Sequence, residues 1–112
     1  MEPEPPLDAP GVLSHGDFHI GQLVAAGPDT VVLDWATLGI SPIGADLAHL
    51  ALSTLTDPVA DYLSAHPENA AAVRLGYRTT VALTGTSRLH WMLSRGVPIP
   101  DGYADFVLEA AS

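Results

Sequence analysis

The chain has 112 residues, of which 47% are hydrophobic, and its mean hydropathy of +0.25 provides enough apolar material for one small folded core. Thirteen acidic residues against four arginines give a formal net charge of −9, so no basic face exists for a nucleic acid or an anionic membrane. Cysteine is absent, which excludes disulfides and thiolate chemistry and fits a cytoplasmic protein.

The first third of the chain predicts a lead-in followed by a β-hairpin. Residues 1–11 are acidic and rich in proline, and we expect them to be flexible and extended rather than a signal peptide. Further on, apolar runs at residues 23–26 and 31–33 flank the turn-forming sequence GPDT at 27–30. This pattern predicts two antiparallel strands joined by a tight turn.

A first helix is predicted after residue 40. Ser41 followed by Pro42 is typical of an N-cap with proline in the first turn. Apolar residues then recur at the spacing of one helical face, at Leu47, Leu50, Ala51 and Leu55. This spacing predicts a helix that ends near residue 55.

Three further helices are expected: a short one after Asp57, a long one over about 70–95, and a last one over 103–111. Gly85 is expected to bend or break the long helix. The apolar residues of that helix are expected in the core: Leu75, Val81, Leu83, Leu89, Trp91, Met92 and Leu93. A hairpin followed by helices, without alternation of the two, predicts the α+β class.

The octet HGDFHIGQ at residues 15–22 is open to three interpretations. On a strand, His15, Asp17 and His19 would share one face and could bind zinc or iron. In an ordinary polar turn, the same side chains would satisfy backbone groups while the glycines supply positive φ. In a phosphoryl-transfer loop, Asp17 would face the attacking hydroxyl, and Gln22 five residues later, with Asp34 returned by the hairpin, would lie beside it.

Three stretches resemble the aminoglycoside phosphotransferase and choline kinase family, whose fold is protein-kinase-like. HGDFHIGQ is similar to the family's HGD-x-H-x-x-N catalytic loop, VVLDW at 31–35 to its I-D-W metal segment, and GISPIGADLAHLAL at 39–52 to its G-x-x-P…D-L-A stretch. The resemblance implies a portion of the C-terminal lobe, with residues 12–38 forming the catalytic loop and metal hairpin and residues 39–112 a helical region.

The resemblance also implies roles for individual residues. Asp17 would be the catalytic base for the substrate hydroxyl, and Asp34 with Gln22 would bind Mg²⁺ that bridges the phosphates of ATP. His15 and His19 would support the geometry of the loop.

Two neighbouring residues would complete this picture. Asp46 would hydrogen-bond the backbone near the loop, although a carboxylate favoured by the helix dipole explains it equally well. Trp35 is expected to pack in the core next to the site.

The chain departs from the family pattern in two ways. Gln22 stands where the family has Asn, which moves the amide oxygen by one methylene. The sequence also contains no lysine and no Gly-rich phosphate loop, so the nucleotide-binding lobe is expected to be missing.

Three functions follow as hypotheses. The first is ATP-dependent phosphorylation of a small hydroxylated substrate, which cationic groups would suit, with this chain as the C-terminal part of a kinase that is whole in its parent or completed by another chain. The second is a non-catalytic remnant that self-associates or binds a partner through apolar surface. The third is a metal hydrolase built on the two histidines of the octet.

Overall fold

A computed structural model of the protein describes residues 11–111, so the predicted lead-in lies outside the described residues except for Gly11. Four short strands precede four helices, and a 3-10 turn, Ile20–Gln22, lies between the first two strands. The strands are β1 (Gly11–Ser14), β2 (Leu23–Ala26), β3 (Asp29–Val32) and β4 (Gly39–Pro42). The helices are α1 (Ala45–Thr54), α2 (Val59–Ala65), α3 (Ala70–Arg95) and α4 (Tyr103–Ala111). The α+β class is confirmed.

The predicted hairpin is present as β2 and β3, paired antiparallel with Ala26 opposite Asp29. Only Gly27 and Pro28 form the connection, so Asp29 and Thr30 belong to β3 rather than to the turn. Gly27 has φ of +65°, and glycine followed by a residue of negative φ suits the tight turns that match strand twist.

A second two-stranded sheet pairs β1 with β4, from Gly11 opposite Pro42 to Ser14 opposite Gly39. The predicted helix start at Ser41 and Pro42 is therefore wrong, because both residues lie in β4. Proline is tolerated there because β4 pairs with β1 alone among residues 11–111, which makes it an edge strand, and Pro42 is its last residue. The pairing of Ser14 with Gly39 brings together the two ends of the segment 15–38, which contains the octet and the hairpin.

Helix α1 begins at Ala45, three residues after the predicted start at Pro42. Gly44 precedes it with φ of +94°, a conformation that glycine adopts without strain. A Cβ at this position would lie 2.5 Å from the carbonyl oxygen of Val73, so glycine also lets the start of α1 approach α3. The other predicted helices are confirmed, and the Asp57 carboxylate caps α2 by accepting from the Val59 N–H at 2.8 Å.

The apolar core lies among the helices. Its buried members are Ala48, Ala51, Leu52, Val59, Leu63, Val73, Tyr77, Val81, Tyr103 and Val107. The expectation for α3 was correct for Val81 and wrong for Leu83 and Leu93, which are 69% and 70% exposed, and for Trp91, which is half exposed. These three side chains lie outside the face of α3 that packs on α1 and α4. In the part of the chain that the structure describes, no helix is long and apolar enough to cross a membrane.

The predicted break at Gly85 is wrong, because the 26-residue helix α3 continues through this position without interruption. A Cβ on Gly85 would lie 2.6 Å from Cγ2 of Val107 on α4 and 3.4 Å from Cδ2 of Leu52 on α1. This glycine therefore serves close packing of three helices and does not interrupt one.

Candidate active site

The loop that follows β1 is built around the buried side chain of His15, which is 2% exposed. Its Nδ1 accepts from the backbone N–H of Asp17 at 3.1 Å, so its Nε2 carries the proton and donates to the carbonyl of Leu33 at 2.7 Å. One neutral imidazole thus joins the backbone at Asp17 to the backbone just before Asp34.

Asp46, in the first turn of α1, fixes the same loop from the other side. Its Oδ2 accepts from the N–H of His15 at 2.7 Å, and its Oδ1 accepts from the N–H of Gly16 at 3.1 Å. Hydrogen bonds to an ionised carboxylate are among the stronger ones in proteins. The side chain therefore anchors the loop to the helical core.

Gly16 lets the loop turn tightly enough for these contacts. Its φ is +90°, and a Cβ there would overlap the carbonyl oxygen of Thr37. The Thr37 hydroxyl donates to the carbonyl of His15 at 2.9 Å, which ties the segment after the hairpin to the loop before it.

The hairpin then returns the chain to the loop. The N–H of Leu33 donates to the carbonyl of Gln22 at 2.8 Å, one pair beyond the end of the β2–β3 ladder. Asp34 follows with φ of +57°, a left-handed conformation that Asp tolerates better than most residues. This turn of the backbone directs the Asp34 carboxylate to the side occupied by Asp17.

The side-chain amide of Gln22 lies between the two carboxylates. Its Nε2 is 3.4 Å from Oδ2 of Asp17 and 3.3 Å from Oδ2 of Asp34, which makes two long hydrogen bonds. Asp17 and Asp34, which are 5 and 12 residues from Gln22 in sequence, therefore both contact the Gln22 side chain. These are the three side chains of the phosphoryl-transfer interpretation.

His19 shapes the 3-10 turn that carries Gln22. Its Nδ1 accepts from the N–H of Gly21 at 3.1 Å, and its Nε2 is 3.7 Å from Oδ2 of Asp17. The N–H of Ile20 donates to the Ser53 hydroxyl at 3.0 Å, which connects the turn to the end of α1. The histidine thus supports the turn and touches the edge of the carboxylate pair.

Residues 1–79, more than half of the chain, match the phosphotransferase enzyme family. The chain belongs to this family. No curated protein and no solved structure matches it. The family implies a kinase-like fold and, in general terms, ATP and a metal ion as cofactors. The matched segment contains every residue of the loop, the hairpin and α1 described above.

The oxygen atoms in this phosphotransferase site suit the metal that the family implies. Carboxylate and amide oxygens are the ligands that Mg²⁺ prefers, and Asp17, Asp34 and Gln22 supply both kinds within a few ångströms. Among residues 11–111, no three His, Cys, Asp or Glu side chains are grouped to hold a metal ion. Phosphate oxygens and water would therefore have to complete the coordination of any metal bound here.

The interpretation of His15, Asp17 and His19 as a zinc or iron site does not agree with the geometry. Strand β1 ends at Ser14, so these residues do not share one face of a strand. Both ring nitrogens of His15 are engaged in hydrogen bonds with the backbone, at Asp17 and Leu33. This buried imidazole is a structural element of the phosphotransferase loop.

Trp35 was expected in the core and is instead 51% exposed. Its indole N–H donates to the carbonyl of Val32 at 3.0 Å, and its ring lies 4.6 Å from the ring of His15 at an angle of 56°. The indole therefore covers one side of the buried imidazole and leaves its own other face in solvent.

Sequence reasoning missed three residues that shape the site, namely Thr37, Ser53 and His49. Two of them act through a single hydroxyl hydrogen bond across 22 and 33 residues, which no local pattern reveals. His49 lies three residues after Asp46 on α1, and its buried Nδ1 has no hydrogen-bond partner. Burial, followed by the nearby Arg88 guanidinium, lowers the pKa of His49 below its ordinary value of 6.5, while Asp46 and Asp17 oppose this effect.

Proposed function

We propose that this phosphotransferase transfers the terminal phosphoryl group of ATP to a hydroxyl of a small molecule. The observation that carries the proposal is the convergence of Asp17 and Asp34 on the amide of Gln22. Phosphoryl transfer depends mainly on positioning and on stabilising negative charge, and a pair of carboxylates at this spacing can divide those two tasks.

Asp17 is the residue proposed to face the acceptor. It is half exposed, and the N–H of its own backbone is fixed by His15, so the carboxylate is held by the loop yet open to solvent. There it accepts the hydrogen bond of the attacking hydroxyl, aligns the oxygen and takes up its proton as the bond to phosphorus forms.

Asp34 and Gln22 are the residues proposed to hold Mg²⁺. The metal, when bound, neutralises the charge that develops on the phosphate oxygens. Asp34 is exposed at the end of the hairpin, where a phosphate chain can reach it. His15 and Asp46 keep the loop in shape through its backbone, and His19 supports the 3-10 turn with its Nε2 3.7 Å from the Asp17 carboxylate.

We further propose that this chain supplies the C-terminal lobe of a kinase-like fold, with residues 12–38 as the catalytic and metal segment and residues 39–112 as the helical part. All four arginines lie on α3 and the sequence has no lysine, so no basic residue of the described loop can pair with the phosphates. The nucleotide-binding lobe, in a longer parent chain or in another chain, would supply that cation.

Calorimetric titration of the folded protein with Mg·ATP tests the proposal. Binding should require Mg²⁺ and should fall at least tenfold in Asp34→Asn, because that change removes one charged ligand. Asp29→Asn, an exposed aspartate in the same hairpin, is the matched control and should bind as the unaltered protein does.

Phosphorylation of hydroxylated amines and sugars is then measured with Asp17→Asn alongside. Phosphorylation that persists undiminished in Asp17→Asn, or Mg·ATP binding that is indifferent to Asp34, would refute the assigned roles.

A further inference from the structure

Gln22 presents a nitrogen, not an oxygen, to the two carboxylates. Both contacts, at 3.4 Å to Asp17 and 3.3 Å to Asp34, are made by Nε2. The opposite orientation would place the amide oxygen against two carboxylate oxygens, and three acceptors with no hydrogen between them repel one another. The NH₂ group is therefore the end that belongs between the carboxylates in the metal-free protein.

An amide NH₂ group cannot ligate a cation, because its nitrogen lone pair is delocalised into the carbonyl and its two protons point at the acceptors. In this orientation the group occupies the position between Asp17 and Asp34 and also offsets their mutual repulsion. A divalent cation between the same carboxylates would occupy the same position and would also offset their repulsion. The NH₂ group and the cation therefore cannot lie there at the same time.

We propose that Gln22 is a positioning residue with two states, a donor that bridges Asp17 and Asp34 without metal and an oxygen ligand when Mg²⁺ binds. The second state rests on the proposed function, since it assumes that the metal site is used. Between the states the amide turns about its last side-chain bond and exchanges Nε2 for Oε1.

The backbone contacts of Gln22 favour a movement confined to the side chain. Its N–H donates to the carbonyl of His19 at 2.9 Å, and its carbonyl accepts from Leu33 at 2.8 Å. The main chain is therefore held on both sides, while the side chain is only partly buried and its two polar contacts are long. Side-chain rotation of this kind is fast compared with any rearrangement of the loop.

The residue type matters for this exchange. The side chain of Gln is one methylene longer than that of Asn and has one more rotatable bond, so the amide can reach both carboxylates from the 3-10 turn and still rotate. In the shorter Asn, the amide would lie nearer the backbone and could not span both contacts from the same position. We therefore expect Gln22→Asn to lose the metal-free bridge.

Proton–nitrogen NMR of the full chain reads this amide directly. The sequence contains one glutamine and one asparagine, so a spectrum of the ¹⁵N-labelled protein holds two side-chain NH₂ pairs, from Gln22 and Asn69. Asn69 precedes α3 at an exposed position and serves as the internal reference. The two pairs are told apart with Gln22→Leu, which removes one of them.

Asp34→Asn and Asp29→Asn each add one NH₂ pair of the introduced Asn, which is recognised by its absence from the spectrum of the unaltered protein. Apart from that pair, and without metal, Asp34→Asn should shift the Gln22 pair and leave the Asn69 pair in place, whereas Asp29→Asn should shift neither. As MgCl₂ is added, the chemical shifts of the Gln22 pair should then change along one saturating curve. This change should be absent in Asp34→Asn. In thermal unfolding, Gln22→Leu should lower the metal-free melting temperature, because the bridge is lost, and should reduce the rise on adding MgCl₂, because an oxygen ligand is lost as well.

If the chemical shifts of the Gln22 NH₂ pair are the same in Asp34→Asn as in the unaltered protein, the bridging state is overturned. A Gln22 pair that stays fixed while the backbone signals of residues 33–35 follow MgCl₂ would overturn the exchange and leave the proposed metal site intact. If MgCl₂ moves no loop signal, the exchange is overturned as well, and the proposed function is judged separately by the Mg·ATP titration.

Discussion

At the residue scale, Asp46 is the side chain on which the shape of the loop depends most. It is a single carboxylate that accepts from two successive backbone N–H groups, at 2.7 and 3.1 Å, across about 30 residues of sequence. Either donor would lie partly buried without a partner if the carboxylate were absent. This arrangement makes Asp46 a residue that stabilises the loop through the backbone of His15 and Gly16.

Asp46→Asn should lower the free energy of unfolding by about 2 kcal/mol, since a neutral amide weakens both charge-assisted bonds and its NH₂ end faces one of the donors. Urea unfolding measures this loss. Asp101→Asn, an exposed aspartate between α3 and α4, is the control and should change stability by less than about 0.5 kcal/mol. Equal losses in the two variants would contradict the anchoring role.

The stability of the folded protein should depend on pH through the side chain of His49. Burial and Arg88 of α3 lower its pKa below 6.5, against the opposing charges of Asp46 and Asp17, while the nearby His15 adds to the lowering. The folded protein thus resists protonation of this ring, and the unfolded chain does not. Stability should therefore be complete above pH 6.5 and should decline as the pH falls through the lowered pKa.

His49→Leu should flatten that decline, because the variant has no proton to bind at this position and loses a buried nitrogen that lacks a partner. The measurement is the free energy of urea unfolding at several values between pH 7 and pH 5. His90→Leu removes an exposed histidine of α3 and should keep the slope of the unaltered protein. An unchanged slope in His49→Leu would show that other groups carry the acid sensitivity.

The sequence and its family resemblance predicted which acidic residues meet and that His15, His19 and Asp46 support the loop, but not the hydroxyl groups that also hold it. The spacing of Asp17 and Gln22, and the hairpin that returns Asp34, are local features, so their meeting could be predicted. The hydroxyls of Thr37 and Ser53 act through contacts that only the folded chain creates. The exposure of Trp35 was missed for a related reason, because a large apolar residue is buried only if another element covers it.

At the element scale, the misjudged features are the start of α1 and the continuity of α3. The residue type of Pro42 predicts a helix start, but strand β1 pairs with this segment, and the tertiary pairing places Pro42 in β4. The helix propensity of Gly85 predicts a break, but its penalty of about 1 kcal/mol can be offset by close packing of helices. Both errors come from applying local preference where a neighbouring element determines the structure.

Gly85→Ala should destabilise the protein even though alanine is the better helix former. A Cβ at 2.6 Å from Cγ2 of Val107 forces α4 away, and overpacking of this kind costs roughly 1–3 kcal/mol, more than the gain of about 1 kcal/mol in propensity. The same change combined with Val107→Ala should lose less than the sum of the two single changes, because the second makes room for the first. Thermal unfolding of the four proteins measures the coupling, and strict additivity would contradict the contact.

At the scale of the whole molecule, the protein divides into a helical core and a site-bearing part that adds little to that core. The buried apolar cluster draws its members from the helices alone, and the cluster includes Val107 and Tyr103 of α4, beyond the segment that matches the family. In the hairpin, by contrast, Val24 and Val31 face each other and are 45% and 43% exposed. The hairpin that carries the candidate site therefore belongs to the less densely packed part of the described chain.

This division predicts an uneven pattern of hydrogen exchange. Amides of the core helices, such as those of Ala48 and Val81, should exchange only when the whole core opens. Amides of the hairpin can open locally, because little apolar surface holds β2 and β3 to the helices. For a global stability of about 5 kcal/mol, the two groups should differ by roughly three orders of magnitude in exchange rate.

Amide exchange followed by NMR in the metal-free protein provides the measurement. A second series with saturating MgCl₂ should slow exchange at Leu33, whose N–H bonds to Gln22 beside the proposed metal site, while Val81 should change by a much smaller factor. The reason is that a ligand bound at the hairpin raises the cost of local opening by its own binding free energy. Uniform exchange across hairpin and helices would mean that the molecule unfolds as one unit, and the site would then share the stability of the core.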